Sequence, residues 1–188
     1  MIVTIRGRAK EEQMRRRFMF LFLIAAALTI VWPAASTATA PNNESNTYAF
    51  FMEVPNSAQN SAGDALAVTG EGMFGVHPKS ATGSGNYTFA AADGTTFSGT
   101  WTVNRLIAFQ PYGCGVIFGM PLPRELCGGR VVLDITATTP FGPRPAQLTI
   151  YCEIGSPPPS TEEGITAVIP SVGSFNRQTG GMNVYVKS

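Results

Sequence analysis

The chain has 188 residues, 13% of them charged, with 20 glycines, 14 prolines, three cysteines and one histidine. That length holds one domain and a leader rather than two domains. Six basic and two acidic residues lie within positions 1–17. The seven basic and ten acidic residues beyond them give a net charge of −3, which excludes the electrostatic footprint of a nucleic-acid or anionic-membrane binder.

From the N-terminus, residues 1–17 are polar and basic, and Phe18 to Trp32 carries no charge. Small residues from Ala34 to Ala40 follow. Basic region, apolar run and small-residue segment in that order predict a secretory signal helix over residues 1–38, cut between 36 and 40. The apolar run is shorter than the roughly 20 residues that span a membrane, so an exported protein with no membrane attachment after cleavage is expected. Residues 39–46 read as a flexible mature N-terminus, and residues 47–188 as one β-rich domain.

Tyr48 to Val54 reads as a first strand. Three segments with strict alternation follow. Leu66, Val68, Gly70, Gly72, Phe74 and Val76 share one face; Gly83, Gly85, Tyr87 and Phe89 share the next; Phe97, Gly99, Trp101 and Val103 share the third. Such alternation predicts half-buried antiparallel strands. A four-residue turn at His77–Ser80 would pair Val76 with Ala81, Val68 with Phe89 and Gly70 with Tyr87. A two-residue turn at Asp93-Gly94 would split the apolar faces. A three-residue turn, Ala92–Gly94 with Gly94 left-handed, keeps them together and sets Tyr87 opposite Gly99, Phe89 opposite Phe97 and Gly85 opposite Trp101. Rings would then lie over strand glycines, which also let a sheet bend sharply.

The alternation slips at Asn104-Arg105, where a bulge is expected. Leu106–Phe109 continues the strand. Val131, Leu133, Ile135 and Ala137 form a further face, followed by a Pro-rich turn from Pro140 to Pro145. Leu148–Ile154 is the next strand, Gly155–Glu163 an exposed loop, and Ile165–Ile169 with Met182–Val186 the closing strands. The expected fold is all-β: a single antiparallel β-barrel or β-sandwich of about eight strands behind the signal helix.

Export permits a disulfide. Cys114 and Cys127 flank a Gly/Pro-rich loop that a bridge would steady by roughly 3 kcal/mol. They are the expected pair, with Cys152 buried and free.

The chemistry-bearing patterns are sparse. Gly70-Glu71-Gly72-Met73-Phe74-Gly75 matches dinucleotide spacing, but it continues as a strand where that motif needs a helix start. His77 sits beside Pro78 in a turn and has no nucleophile signature near it. Glu53, Glu71, Asp134 and Glu153 fall on outward strand positions, and Glu162-Glu163 reads as solubilising loop charge. No Cys/His spacing suits a metal, so no catalytic residue, metal or cofactor is expected. Asn43 and Asn86 head glycosylation sequons, discounted because the leader is bacterial in style. Tyr87, Phe89, Phe97 and Trp101 are either packed core or the wall of a ligand cavity. Eight-stranded barrels accommodate both arrangements, and packed core is the expectation here because packed aromatics dominate small cores.

The stretch from Thr69 to Gly113, including Thr69-Gly70-Glu71-Gly72 and Ser98-Gly99-Thr100-Trp101-Thr102, resembles small exported bacterial β-rich proteins of unassigned function. The glycine-alternating meander is similar in pattern to dirigent and allene-oxide-cyclase barrels. The resemblance implies a β fold and no activity, cofactor or site. Three functions are therefore in competition. The first is a non-catalytic exported domain with a binding or structural role. The second is a calycin- or dirigent-like barrel for a small apolar ligand, and the third a carboxylate-dependent hydrolase. Interior volume separates the first two: about 300 Å³ or more favours a ligand.

Overall fold

A computed structural model describes residues 46–170 and 172–188. The expected signal helix and most of the expected mature N-terminal segment lie outside the described residues. Eleven strands run β1 (Thr47–Gln59), β2 (Ala65–Gly75), β3 (Ser80–Ala90), β4 (Thr96–Cys114), β5 (Val116–Ile117), β6 (Met120–Pro121), β7 (Leu126–Thr139), β8 (Gly142–Cys152), β9 (Gly164–Ile169), β10 (Gly173–Phe175) and β11 (Arg177–Lys187). The described residues are all-β and antiparallel. Nine strands form one sheet in the order β10-β9-β8-β7-β11-β1-β2-β3-β4, and β5 and β6 form a separate hairpin. That exceeds the expected eight, because β5 and β6 lie within the loop between the paired cysteines and β10 is only three residues long.

β4, at one end of this order, also pairs with β7 along Trp101–Cys114. β7 meets β11 only through Tyr185 opposite Cys127 and Val186 opposite Leu126. The pairings therefore make a circuit of six strands with a two-pair closing link, while β8, β9 and β10 continue from β7. A plain barrel has no such side branch.

The β3–β4 register is the one the turn argument gives: Gly85 opposite Trp101, Tyr87 opposite Gly99, Phe89 opposite Phe97. The Ala91 amide donates to Thr95 O at 2.8 Å, and Gly94 has φ +90°. That is the left-handed conformation a three-residue turn needs. The β2–β3 register differs from expectation by two residues. Val68 faces Tyr87, Leu66 faces Phe89, and Gly75 pairs with Ser80. The turn starts one residue earlier, at Val76, because the Val76 amide donates to Asn46 O, 3.0 Å away, beside β1. A two-residue shift preserves side-chain parity, so Phe74, Tyr87 and Trp101 still share the buried face, at 1%, 7% and 1% exposure.

The bulge at Asn104 is present between Val103 and Arg105. The Pro-rich turn is shorter than expected: Pro140 and Phe141 make it, and β8 already runs from Gly142. Pro143 and Pro145 pair with β7 opposite Thr138 and Thr136. β9 reaches only to Gln147, so these prolines lie where β8 has no second neighbour. Their missing amides leave no bond unmade there.

Rings seat on glycines across this sheet. The Trp101 indole lies against Gly70 and Gly85, and Phe50 covers Gly72 and Gly83. A methyl group on Gly85 would fall 2.7 Å from Trp101 Nε1, and one on Gly99 2.7 Å from Tyr87 Cε1. Toward one end the interior is filled by a ring cluster: Phe74 packs on Tyr48 at 5.1 Å, Phe109 at 4.8 Å and Tyr185 at 5.7 Å between centroids.

These contacts give a prediction. Gly85→Ala must displace the indole or the Thr69 carbonyl, and it lowers unfolding free energy by about 2–4 kcal/mol. Thr100→Ala, on the exposed face of β4, stays within about 0.5 kcal/mol of wild type. Urea denaturation of both variants measures the difference, and equal midpoints contradict the packing.

Candidate functional site

Away from the ring cluster, the sheet encloses an apolar cavity of about 260 Å³. One wall is aromatic. β3 supplies Tyr87 and Phe89, and β4 supplies Phe97 and Trp101. Phe89 stacks on Phe97 at 4.8 Å, and Phe97 meets Tyr87 edge-on at 6.3 Å. The four rings named from sequence thus lie together: all four line the cavity, and Tyr87 and Trp101 are at the same time buried core. Leu66 and Val68 of β2 extend this wall.

The opposite wall explains the space. Its inward positions on β7, β8 and β9 include Ala137, Ala146 and Ala167. Nearer the filled end the same strands place Val131, Ile150 and Ile165 inward, each fully buried. On this wall the alanines alternate with Ile135, Leu148 and Ile169, which also line the cavity, and the alanine positions leave volume beside the rings. The glycines beside Trp101 contribute too, since they let the indole approach the backbone of β2 and β3 closely.

The wall's polar atoms are already partnered. Trp101 Nε1 donates to Thr69 O at 3.0 Å, and the Tyr87 hydroxyl donates to Thr138 O at 2.9 Å. Burial pushes the Tyr87 phenol above its ordinary value, which keeps the ring neutral. At the rim stand Thr139, Phe141, Arg144, Ile169 and Val172. Phe141 is 77% exposed and meets Phe97 edge-on at 6.5 Å. Thr139 Oγ1 is engaged within its own hairpin, donating to Gly142 O and accepting from the Phe141 amide. Among the described residues Arg144 and Tyr87 are the cavity's titratable side chains, and the lining, otherwise apolar, holds no nucleophile paired with a base.

The sequence-derived carboxylates lie elsewhere. Glu53 and Glu71 are exposed and border a shallow groove with Phe51, Met52 and Gly70. Asp134 accepts from Arg105 Nε at 2.8 Å, and the hydrogen bonds from Arg105 and Asn104 hold its carboxyl below the usual range. None of the four faces the cavity. Gly70–Gly75 lies wholly within β2, and His77 is exposed in the β2–β3 turn. Among the described residues no cluster of three or more His, Cys, Asp or Glu side chains is placed to hold a metal.

Cys114 and Cys127 form a disulfide between directly opposed positions of β4 and β7. Cys152 is free and fully buried, and its thiol donates to Asn183 O at 3.0 Å. Burial, with the Glu163 carboxylate nearby, pushes that thiol up to about 12.

Glu163 corrects its reading as solubilising loop charge. Its two oxygens accept the backbone amides of Glu153 and Asn183, each at 2.7 Å, which ties the loop before β9 to β11. Beside it Asn183 donates through Nδ2 to Asn56 Oδ1 and to Tyr151 O, both at 2.9 Å. A loop glutamate carries no sequence mark of burial, so only the tertiary contact reveals this role. Arg144, Phe141, Ala146 and Ala167 were likewise missed as cavity residues. For Arg144 and Ala146 the inward parity of β8 was the available signal, hidden at Arg144 by the Pro-rich turn reading; Ala167 shares the parity of Ile165 and Ile169 on β9, and Phe141, in the turn, had none.

Burial is the main cause that raises the Glu163 carboxyl to about 7 from 4.5. A raised folded-state value favours the folded protein fully below pH 4.5, and this contribution is lost as pH rises through about 7. The size is roughly 3 kcal/mol. In urea titrations, wild type therefore loses stability relative to Glu163→Gln between pH 4.5 and 8; parallel curves contradict the assignment. For Cys152, a thiol reagent at pH 8 modifies no sulfur in the folded protein and one per chain in denaturant. Rapid modification of the native state contradicts its burial.

No protein-family model, curated protein or solved structure matches the chain, so a functional reading rests on the cavity's own chemistry.

Proposed function

We propose that this protein is an exported, non-catalytic β domain that binds one small apolar ligand in the cavity walled by Tyr87, Phe89, Phe97 and Trp101. The observation that carries the reading is about 260 Å³ of apolar space whose wall hydrogen-bond donors are already satisfied. The volume falls short of the roughly 300 Å³ set above as favouring a ligand, the lower end of the range for drug-sized pockets. It exceeds the cavity of about 150 Å³ that stays dry and takes up benzene in an engineered protein core. Scaling from that case gives an occupant of about ten carbon atoms.

The space opens to solvent at its rim, so an apolar occupant gains by removing the ring and alanine lining from water.

The six-strand circuit would act as a distorted barrel, with β8–β10 splayed from β7 to form the small-residue wall and part of the rim. Dirigent and allene-oxide-cyclase proteins offer a pattern analogy for such a cup, and fold alone does not transmit their activities. Export is proposed from the basic, apolar and small-residue order of the leader, and the Cys114–Cys127 bridge supports an oxidising compartment. The net charge beyond residue 17 gives no reason to expect nucleic acid as a partner. The carboxylate-hydrolase reading lacks support, since no carboxylate lines the cavity.

The test uses 1-decanol and the emission of Trp101. Saturable binding that shifts the emission is expected, with Ala137→Phe weakening it at least tenfold by filling the space. No saturable binding, or binding indifferent to Ala137→Phe, overturns the proposal.

A further inference from the structure

The cavity wall is uncharged but its rim is not, and the position of the one charge bears on the kind of ligand. Along β8 the even-numbered residues point inward: Ala146, Leu148, Ile150 and Cys152 are all buried. Arg144 has the same parity and stands one step beyond them toward the rim. It pairs with Ala137, which pairs with Trp101, so these three side chains occupy one cross-strand row on the concave face. β9 stops at Gln147, which leaves Arg144 open to water on its other side. Among the described residues, Arg105–Asp134 is the one ion pair, and no carboxylate engages Arg144.

Arg144, an exposed rim residue on the inward parity of β8 with no anionic partner among the described residues, suits an amphiphile that brings its own anion. We propose, on the footing that the cavity is a ligand site, that Arg144 holds the carboxylate of a medium-chain fatty acid whose hydrocarbon tail lies among the rings and alanines. Guanidinium and carboxylate match in geometry and form strong charge-assisted hydrogen bonds. The tail meets no unsatisfied polar atom, because Tyr87, Trp101 and Thr139 are all engaged. A cavity scaled to about ten carbons fits a chain such as decanoate, with its head at the rim.

A competing role for Arg144 is protection of the free β8 edge, since inward charges discourage edge-to-edge pairing. Pro143 and Pro145 already remove amides from that edge. The two roles differ in their dependence on sign: edge protection accepts either charge, and a carboxylate site does not.

Isothermal titration of the full chain with decanoate, decylammonium and 1-decanol, below micellar concentrations, makes the distinction. Wild type is expected to bind decanoate about tenfold tighter than 1-decanol and to bind decylammonium most weakly. Arg144→Gln brings decanoate and 1-decanol to within about threefold, and Arg144→Glu reverses the order of the two ions. Arg144 is exposed, so neither substitution disturbs the core. Equal affinity of wild type for all three compounds, or an unchanged order in Arg144→Glu, overturns the headgroup assignment and leaves the cavity reading standing. Binding of none of the three overturns both. Binding that Ala137→Phe does not weaken places the ligand outside the cavity, which also overturns both.

Discussion

The structure depends on aromatic rings lying directly on strand glycines. Trp101 on Gly70 and Gly85, Phe50 on Gly72 and Gly83, and Tyr87 on Gly99 are the same contact repeated across β1 to β4. Each glycine removes a side chain from the concave face and lets a ring approach the backbone of a neighbouring strand. The sheet can then bend without crowding its inner surface. With ordinary side chains at Gly72 and Gly85, the ring and the backbone would claim the same space, and β2, β3 and β4 would have to flatten or separate. Curvature in turn allows β4, at one end of the strand order, to reach β7.

The cavity follows from that bend together with an uneven distribution of volume. Inward positions toward one end carry Tyr48, Phe74, Phe109 and Tyr185, which pack against one another. The other end sets its rings against Ala137, Ala146 and Ala167. Proteins normally fill such space to crystal-like density. Here it stays apolar, bordered by rings whose donors are satisfied internally, and under the proposed function its complementarity to a ligand would lie in shape and hydrophobicity. Directional polar chemistry is confined to the rim, where Arg144 stands. The Glu163 and Asn183 cluster is a separate polar device, tying the β9 approach to β11 while Cys152 stays shielded behind it.

Much of this arrangement is legible in the sequence, for a physical reason. Alternation of glycine and rings has a period of two, and keeping the faces together admits one turn length at Ala92–Gly94, which fixed β3 against β4 correctly. The disulfide and the bulge beyond Val103 were readable from loop composition and from a slip in parity. The β2–β3 register was not, because it turned on a distant partner: the Asn46 carbonyl takes the Val76 amide and starts the turn a residue early. Pro143 and Pro145 read as a turn because proline is excluded from central strands, and only the short reach of β9 makes their strand positions permissible. The aromatic cavity wall was visible as a set of rings. Its opposite wall of alanines was not, since an inward alanine looks the same in sequence above a filled core as above an empty one. Glu163 escaped notice for the same reason: burial of a loop carboxylate is a property of what folds over it.

The contact between rings and glycines is directly observable in solution. Protons held against an aromatic ring are displaced by its ring current, and the Trp101 indole lies against Gly70 and Gly85. In an NMR spectrum of the folded protein, the α-protons of Gly85 should lie away from ordinary strand-glycine shifts and show nuclear Overhauser contacts to the indole ring. Ordinary glycine shifts at Gly70 and Gly85, with no contact to Trp101, would mean that the ring does not sit on the strand and that the curved, cavity-bearing sheet is wrong.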